Sequence, residues 1–593
     1  MLYRLLPQPE KSFITKFPEF HPSILSLLWQ RNIKTESAIN DFLNPQYAQK
    51  EFDPFQFKEM KAVVKRLLKA AEAHERVLVY GDYDTDGVCS AILLVETLER
   101  LYQIKSERKN RDDADNQELI QVYLPHREEE GYGLNPTAVK YIIEQKISLL
   151  ITCDCGTTNI TELKALHKAG IEVIIIDHHV VPGARPPVVG FINPKFKKDN
   201  YPFRELAAAG VVFKVIQGLR QYQISRDEPQ LISEGFEKWS LDLVAMATIT
   251  DVMPLLQENR SLVKWGLMVL NKTKRSGLKA LIDAAGIERT LTAVDVSFML
   301  GPRINAAGRL DHANVAYDLL RQTDKSIALA EADKLNKTNA TRQKLTERIV
   351  ASAKKQVAKQ IKQNDFVLVA YCLKINCWPT GLIGLVAGRL AKEFNRPACV
   401  IGYSNHGLAG SGRSIENFDI FKAVSTAEKI FEKSGGHPQA CGFTFIKKTP
   451  KQKLIKEFKS KVEIYAKQKI TPQDLLPRLP ITQIITLPEL SLALVRLIAQ
   501  LQPFGEGNRE PIFLTKNAKV ESVKLMGAAS DHVKMVISQG SSFREAVFFR
   551  FPPEIKNFKP GDHANLIYTL ELNVWRGEER VQLIVREMEK IEP

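Results

Sequence analysis

The sequence predicts an α/β protein: a parallel sheet wrapped by helices, a long helix joining it to a second α/β unit, and a small all-β barrel at the C-terminal end. Three observations carry this. From Arg76 onward, short β-branched runs alternate with helical patterns, the rhythm of a parallel sheet. The stretch 326–363 is rich in alanine and lysine and holds no proline or glycine, which predicts one continuous helix. After Pro480, strand-like runs are divided by turn signals, which predicts a barrel.

The first unit spans 61–325, after an N-terminal segment 1–60. Its strands are VLVY, QVYLP, ISLLITCD and VIIIDHH, with GVCSAILLVETLERL as the first crossover helix. Lys105–Glu118 is densely charged and poor in apolar residues, so it is expected as a solvated loop. The second unit, 364–450, opens on FVLVAYC and includes GLIGLVAGRLAKEF and PACVIGY. Lysines accumulate after Phe445 and prolines punctuate 472–480, so 451–480 is expected as a linker. The barrel, 481–593, contains HVKMVI, EAVFFRF, ANLIYTLEL and VQLIVREM.

Bulk composition narrows the function classes. A net charge of +15 favours a polyanionic partner, because each cation placed near a phosphate releases condensed counterions. Seven cysteines lie between Cys89 and Cys441 without a C-x-x-C pair, which argues against a disulfide framework or a structural zinc site. Cys153 and Cys155 are read as packing residues. No apolar run reaches membrane-spanning length and no signal peptide opens the chain, so a cytoplasmic location without membrane attachment is expected. No Walker loop occurs.

Chemistry is expected at the carboxyl ends of the strands, where ligands of parallel sheets gather. The strand VLVY runs into GDYDTDG, placing Asp82, Asp84 and Asp86 at alternate positions. Three like charges so close repel unless cations compensate them, and an oxygen-rich divalent site answers that need. A surface turn or a calcium-type loop is the alternative, but the twelfth loop position, where such a loop carries glutamate, is Leu93. A second strand ends at Asp154, and a third delivers Asp177, His178 and His179. Taken singly, Asp154 reads as a helix cap and a lone histidine as a satisfied core residue; repetition on three strand ends favours a site. Asp251, after LVAMATIT, completes a mixed oxygen and nitrogen set suited to two ions of Mn²⁺ or Mg²⁺ rather than zinc.

GDYDTDG, TCDCGT, DHH and ITDVMPL resemble, in order, the four metal motifs of the DHH phosphoesterases. LPHREEEGYGL, GPRINAAGRLDHA, GSGRS, GGHPQACGFT and LQPFGEGNREPIF extend the likeness, within that family, to its single-strand-specific exonucleases over nearly the whole chain. The resemblance implies a DHH catalytic domain, a linking helix, a DHH-associated domain and a C-terminal OB-fold. It also implies 5′→3′ release of mononucleotides from single-stranded DNA in repair and recombination, with a helicase and a single-strand-binding protein as expected company and a monomeric state.

Carried over residue by residue, the family pattern makes Asp82, Asp84, Asp86, Asp154, His178 and Asp251 metal ligands. Asp84 and Asp154 count among the catalytic residues with His179, which steadies developing charge. Where the pyrophosphatase branch has a histidine ligand, this chain has Tyr80, a poor ligand for these ions. Arg127, Asn305, Arg309, Ser411, Arg413 and His437 sit in motifs implied to engage the strand, the arginines and Ser411 at the 5′ phosphate. Guanidinium forks suit phosphate oxygens. Trp378-Pro379-Thr380 departs from the pattern, which has histidine after the tryptophan; Pro379 offers no hydrogen bond there. In the barrel, Lys534, Arg544, Trp575 and Arg576 are candidates for strand binding.

Overall fold

The computed structural model describes residues 2–47, 52–103, 119–227, 230–447, 449–527, 530–575 and 577–591. The expected loop Lys105–Glu118 lies outside them. Strands β1 (Val77–Gly81), β2 (Ile120–Tyr123), β3 (Leu149–Cys153), β4 (Glu172–Ile176) and β5 (Gly190–Ile192) form one parallel sheet in the order β2-β1-β3-β4-β5. The order reverses between β1 and β3, and a crevice at such a switch point is where doubly wound sheets bind ligands.

Alternation along β1 sends Val77 and Val79 into one apolar layer and Leu78 and Tyr80 into another, so both faces of the sheet are covered. Tyr80 therefore points into the core, its hydroxyl donating to the Gly133 carbonyl at 2.9 Å. Helices α1 (Thr85–Leu101), α2 (Ala208–Ser225) and α3 (Leu241–Thr250) pack together on the first layer. Helix α4 (Gly301–Leu310) follows lower in the same domain.

Helix α5 (Lys325–Lys362) is the expected connector, 38 residues long and about 57 Å at 1.5 Å per residue. Asp324 caps it, accepting from the Ser326 and Ile327 amides. Its first half buries Ala328, Ala332 and Leu335 in the catalytic core, and its second half buries Ile349, Val350, Ala353 and Val357 in the next domain. One helix thus belongs to two cores.

That domain contains β6 (Leu368–Tyr371), α6 (Thr380–Phe394), β7 (Ala398–Ser404), β8 (Gly407–Arg413), β9 (Phe431–His437) and β10 (Ala440–Phe445), with sheet order β9-β10-β8-β7-β6. Residues 451–480, expected as a linker, begin instead with α7 (Lys451–Lys469), whose Leu454, Ile455, Phe458, Val462 and Ala466 complete this domain's core. The lysines that suggested a linker are the solvated face of an amphipathic helix.

The barrel strands are β11 (Gln483–Ile484), β12 (Phe513–Met526), β13 (His532–Gln539), β14 (Ser542–Phe549), β15 (His563–Trp575) and β16 (Glu578–Ile591), ordered β11-β12-β13-β14-β16-β15 and closed by β12–β15 pairing. The N-terminal segment is no separate unit. Its helices Pro22–Gln30 and Glu36–Leu43 bury Leu25, Leu27, Leu28, Ile39 and Phe42 in the barrel's own core. Arg260, buried in the catalytic domain, donates to the carbonyls of Phe42, Gln500 and Leu501, so one guanidinium ties three segments together.

Cys89, Cys153, Cys155, Cys399 and Cys441 are free and buried, as packing residues should be. Cys372 and Cys377 form one local disulfide within the loop before α6, a pairing of neighbours in space that no C-x-x-C spacing announces. Among the described residues no helix is long and apolar enough to cross a membrane.

Candidate active site

The parallel register aligns Gly81 with Cys153 and Cys153 with Ile176, so the next residues, Asp82, Asp154 and Asp177, emerge side by side at the strand tips. Asp84 caps α1, its Oδ1 accepting from the amides of Asp86 (3.0 Å) and Gly87 (3.2 Å). Gly87 is required there, since a Cβ would lie 2.4 Å from the Asp82 carbonyl oxygen. Asp86 points the other way, Oδ2 and Oδ1 each accepting at 2.8 Å from the Ala208 and Ala209 amides at the start of α2. Asp154 itself has φ +61°, a left-handed backbone uncommon outside glycine and concentrated at functional sites.

Asp251 comes from a different kind of element. It sits at the C-terminal end of α3, where the helix dipole is negative, a poor place for a carboxylate without a cation nearby. His178 Nε2 lies 3.2 Å from Asp154 Oδ1, 3.6 Å from Asp251 Oδ2 and 3.7 Å from Asp86 Oδ2. Ligand atoms of three groups gather within 4.8 Å of one another: Asp86, His178 and Asp251; Asp82, Asp84 and Asp154; and Asp154, His178 and His179. Asp154 and His178 each belong to two of these groups. The six residues expected as metal ligands are all brought together.

Burial and neighbouring carboxylates hold Asp82, Asp154 and Asp251 well above the usual carboxylate range, and Asp86 is pushed up to about 7 by the same causes. His178 is pushed down to about 3 by burial and by the charge of His179, so it is neutral and keeps a lone pair for ligation. His178 Nε2 and the buried Oδ1 of Asp82 make no hydrogen bond. Orphaned buried acceptors facing a crowd of carboxylates fit hard divalent cations.

The predicted phosphate residues converge as well. Arg309 Nη1 donates to the Gly381 carbonyl at 2.8 Å, across the cleft between the two α/β domains. Arg127 lies over the Tyr83 ring, 4.6 Å from its centre. Arg413 Nη1 donates to Ser411 Oγ at 3.1 Å. Arg309 is pushed down to about 9 by burial and then by Arg127, Arg342 and Arg413, which shows how closely these cations crowd.

The sequence from 76 to 248 matches the model of the DHH family N-terminal domain, 364–464 that of the DHHA1 domain and 481–587 that of the RecJ OB domain. The single-stranded-DNA-specific exonuclease RecJ of Bacillus subtilis is 32% identical over 98% of this chain and 69% of its own length. The chain belongs to the RecJ family. RecJ of Haemophilus influenzae is 28% identical, covering 96% of this chain and 97% of its own. A crystal structure of Thermus thermophilus RecJ in complex with Mn²⁺ superimposes with a TM-score of 0.80 at 27% identity, covering all of this chain and 80% of that one.

Other expected residues find different positions in this RecJ-family chain. Asn305 spends its side-chain oxygen on Thr85, accepting from the amide at 2.9 Å and the hydroxyl at 3.0 Å, and so positions the acidic loop rather than offering that oxygen to substrate. His437 is exposed on the β9–β10 hairpin, and its pKa is lowered by partial burial and by the charges of His179 and Lys195. Pro379 is the N-cap of α6, and Glu128 of the catalytic domain occupies that helix end, accepting from Thr380 Oγ1 at 3.0 Å and the Gly381 amide at 3.2 Å.

In the barrel, Lys534 is paired with Glu545 at 2.8 Å, and Arg544 is committed to the Leu490 carbonyl. Arg576 and the Trp575 side chain lie outside what the structure describes. Phe543 and Phe549 stand out instead, 57% and 53% exposed on one face of β14, with His532 edge-on to Phe549. Alternation along β14 could have pointed to them, because 543 and 549 share a face.

Three further residues hold His179, and only one of them was legible in the sequence. Asp177 Oδ1 lies 2.8 Å from His179 Nδ1, Tyr132 OH lies 3.0 Å from the same nitrogen, and Asn193 donates to the His179 carbonyl at 2.9 Å. The DHH tripeptide gives Asp177 away; nothing local marks Tyr132 or Asn193.

Proposed function

We propose that this chain is a metal-dependent exonuclease that hydrolyses single-stranded DNA from the 5′ end to mononucleotides, acting in the cytoplasm in repair and recombination. The observation that carries the reading is the shared place of Asp154 in two candidate ligand groups, beside Arg127 and Arg309, which among the described residues form no ion pair of their own. Two ions of Mn²⁺ or Mg²⁺, held by Asp82, Asp84, Asp86, Asp154, His178 and Asp251, would activate water and offset charge on the leaving oxygen.

The chain's own residues supply the rest. His179 is pushed up to about 9 by its contact with Asp177, so it is protonated near neutrality. With Nδ1 turned to Asp177 and Tyr132, its Nε2–H is the donor left for an oxygen of the scissile phosphate. Arg127, Arg309 and Arg413 grip the terminal phosphate and set the register of cleavage, one nucleotide from the end. The exposed Phe543 and Phe549 offer stacking platforms for the bases that follow, in place of the barrel residues expected from sequence. A helicase would supply such strands, and a single-strand-binding protein would hold them.

The test is a metal-titrated assay on a 5′-labelled single strand and a blunt duplex, with product length scored. The reading requires mononucleotides from the single strand, little from the duplex, dependence on Mn²⁺ or Mg²⁺, and loss of activity in Asp84→Ala. An intact single strand would overturn it.

A further inference from the structure

Behind the trio of Arg127, Arg309 and Arg413, three more arginines gather where α4, α5 and α6 meet. Leu310, Leu345 and Leu382, one from each helix, pack in a single apolar cluster that draws the helices together beside Arg303, Arg342 and Arg389. Arg303 Nε donates to Asn336 Oδ1 at 3.0 Å and its Nη1 to the Met299 carbonyl at 2.7 Å. Arg342 Nη2 donates to Asn339 Oδ1 at 2.8 Å. These partners orient the guanidiniums and neutralise nothing.

Among the described residues no carboxylate forms an ion pair within 4.0 Å with any of the six arginines. Arg342 Nε is buried without a hydrogen-bond partner. The charges run on continuously: Arg309 is lowered by Arg342, and Arg342 by burial, Arg389 and Arg303. Arg309 is held at the cleft by the Gly381 carbonyl, whereas Arg303 and Arg342 are held by Asn336 and Asn339 on α5, which sets the second group beside that helix. Crowded guanidiniums with neutral supports are stabilised by an anion set among them, and their forked donors match phosphate oxygens.

We propose that Arg303, Arg342 and Arg389 form a second phosphoryl-binding station behind the terminal-phosphate site. This rests on the reading of Arg127, Arg309 and Arg413 as that first site. The group it takes is either a distal phosphate of a strand ending in a 5′-triphosphate or the phosphate of the nucleoside monophosphate leaving after cleavage.

The experiment measures hydrolysis by the full-length, Mn²⁺-loaded enzyme of matched oligonucleotides with 5′-monophosphate or 5′-triphosphate ends, together with inhibition by dAMP. Wild type is compared with Arg342→Gln, Arg389→Gln and Arg413→Gln. If the station holds distal phosphates, the triphosphate-to-monophosphate ratio of kcat/KM falls about tenfold in the first two variants, the loss expected for one charge-assisted hydrogen bond. If it holds the outgoing nucleotide, that ratio stays and the dAMP inhibition constant rises by about the same factor.

Arg413→Gln should lower kcat/KM on both ends together; failure there sinks the first site and is read separately from the ratio. Arg389 is exposed, so its variant keeps the core intact and the result interpretable. The proposal is overturned if neither quantity changes in Arg342→Gln and Arg389→Gln.

Discussion

His179 Nδ1 lies 2.8 Å from Asp177 Oδ1, and this contact decides how the second histidine of the strand tip can act. The Asp177 carboxylate also accepts from the amides of His178 (2.7 Å), His179 (3.2 Å) and Thr157 (3.2 Å), so it is locked in place and held far below the usual carboxylate range. It engages His179 Nδ1 and leaves Nε2 as the ring's other donor. Asp177→Asn should lower kcat by about 10–100-fold, the range for supporting residues of metal sites, with a smaller change in KM. In the metal-free protein, NMR should find His179 titrating near 9 in the wild type and clearly lower in the variant. An unchanged titration would refute the role given to Asp177.

Metal removal should have a pH-dependent cost. Asp86 is pushed up to about 7 in the folded chain, against about 3.9 unfolded. Between those values the unfolded state releases the proton and the folded state retains it, so rising pH destabilises the metal-free fold progressively from about 4 to 7. Asp82, Asp154 and Asp251 shift in the same direction and add to the effect. Thermal melts should therefore show a larger rise in Tm on adding Mn²⁺ at pH 8 than at pH 5.

Gly381 is one residue through which the two α/β domains meet at the cleft. Its carbonyl accepts from Arg309, its amide donates to Glu128, and a Cβ would lie 2.8 Å from the Arg309 carbonyl oxygen. Gly381→Ala should force these backbones apart, with a loss of stability of about 1–3 kcal/mol typical of overpacking. The phosphate trio would be misaligned, and KM for 5′-phosphorylated strands should rise. Melts and steady-state kinetics on the same preparation check both.

Phe549→Ala should weaken binding of a long single strand by about 1–3 kcal/mol, the range for one base–aromatic stack. The loss should be greater on a long strand than on one too short to reach the barrel. Fluorescence anisotropy across a length series measures it, and equal losses at all lengths would remove Phe549 from the strand's path.

The acidic loop, the strand tips, the long helix and the barrel could all be read directly from residue patterns, because each is a local matter of period, capping or turn chemistry. VLVY followed by GDYDTDG states a buried strand and a polar end within eleven residues. Asp251 was identifiable as a candidate acid, but its arrival from the end of a helix was not, since no pattern in LVAMATIT says which end of α3 meets β1 and β3. The linker assigned to 451–480 failed for a related reason: lysine content describes the wet face of α7 and is silent about the apolar face that Phe458 buries.

By itself the sequence determined the fold class, most element types and the family, because strand alternation, helix propensity and clustered carboxylates act over a few residues. Tertiary structure alone decided which residues serve the site and which serve its supports. Asn305 holding Thr85, Glu128 holding α6, the N-terminal helices inside the barrel core and the arginines grouped behind Arg309 all join positions far apart in the chain. Such pairings depend on how whole elements pack, and packing is settled by the summed burial of many side chains rather than by any short run of them.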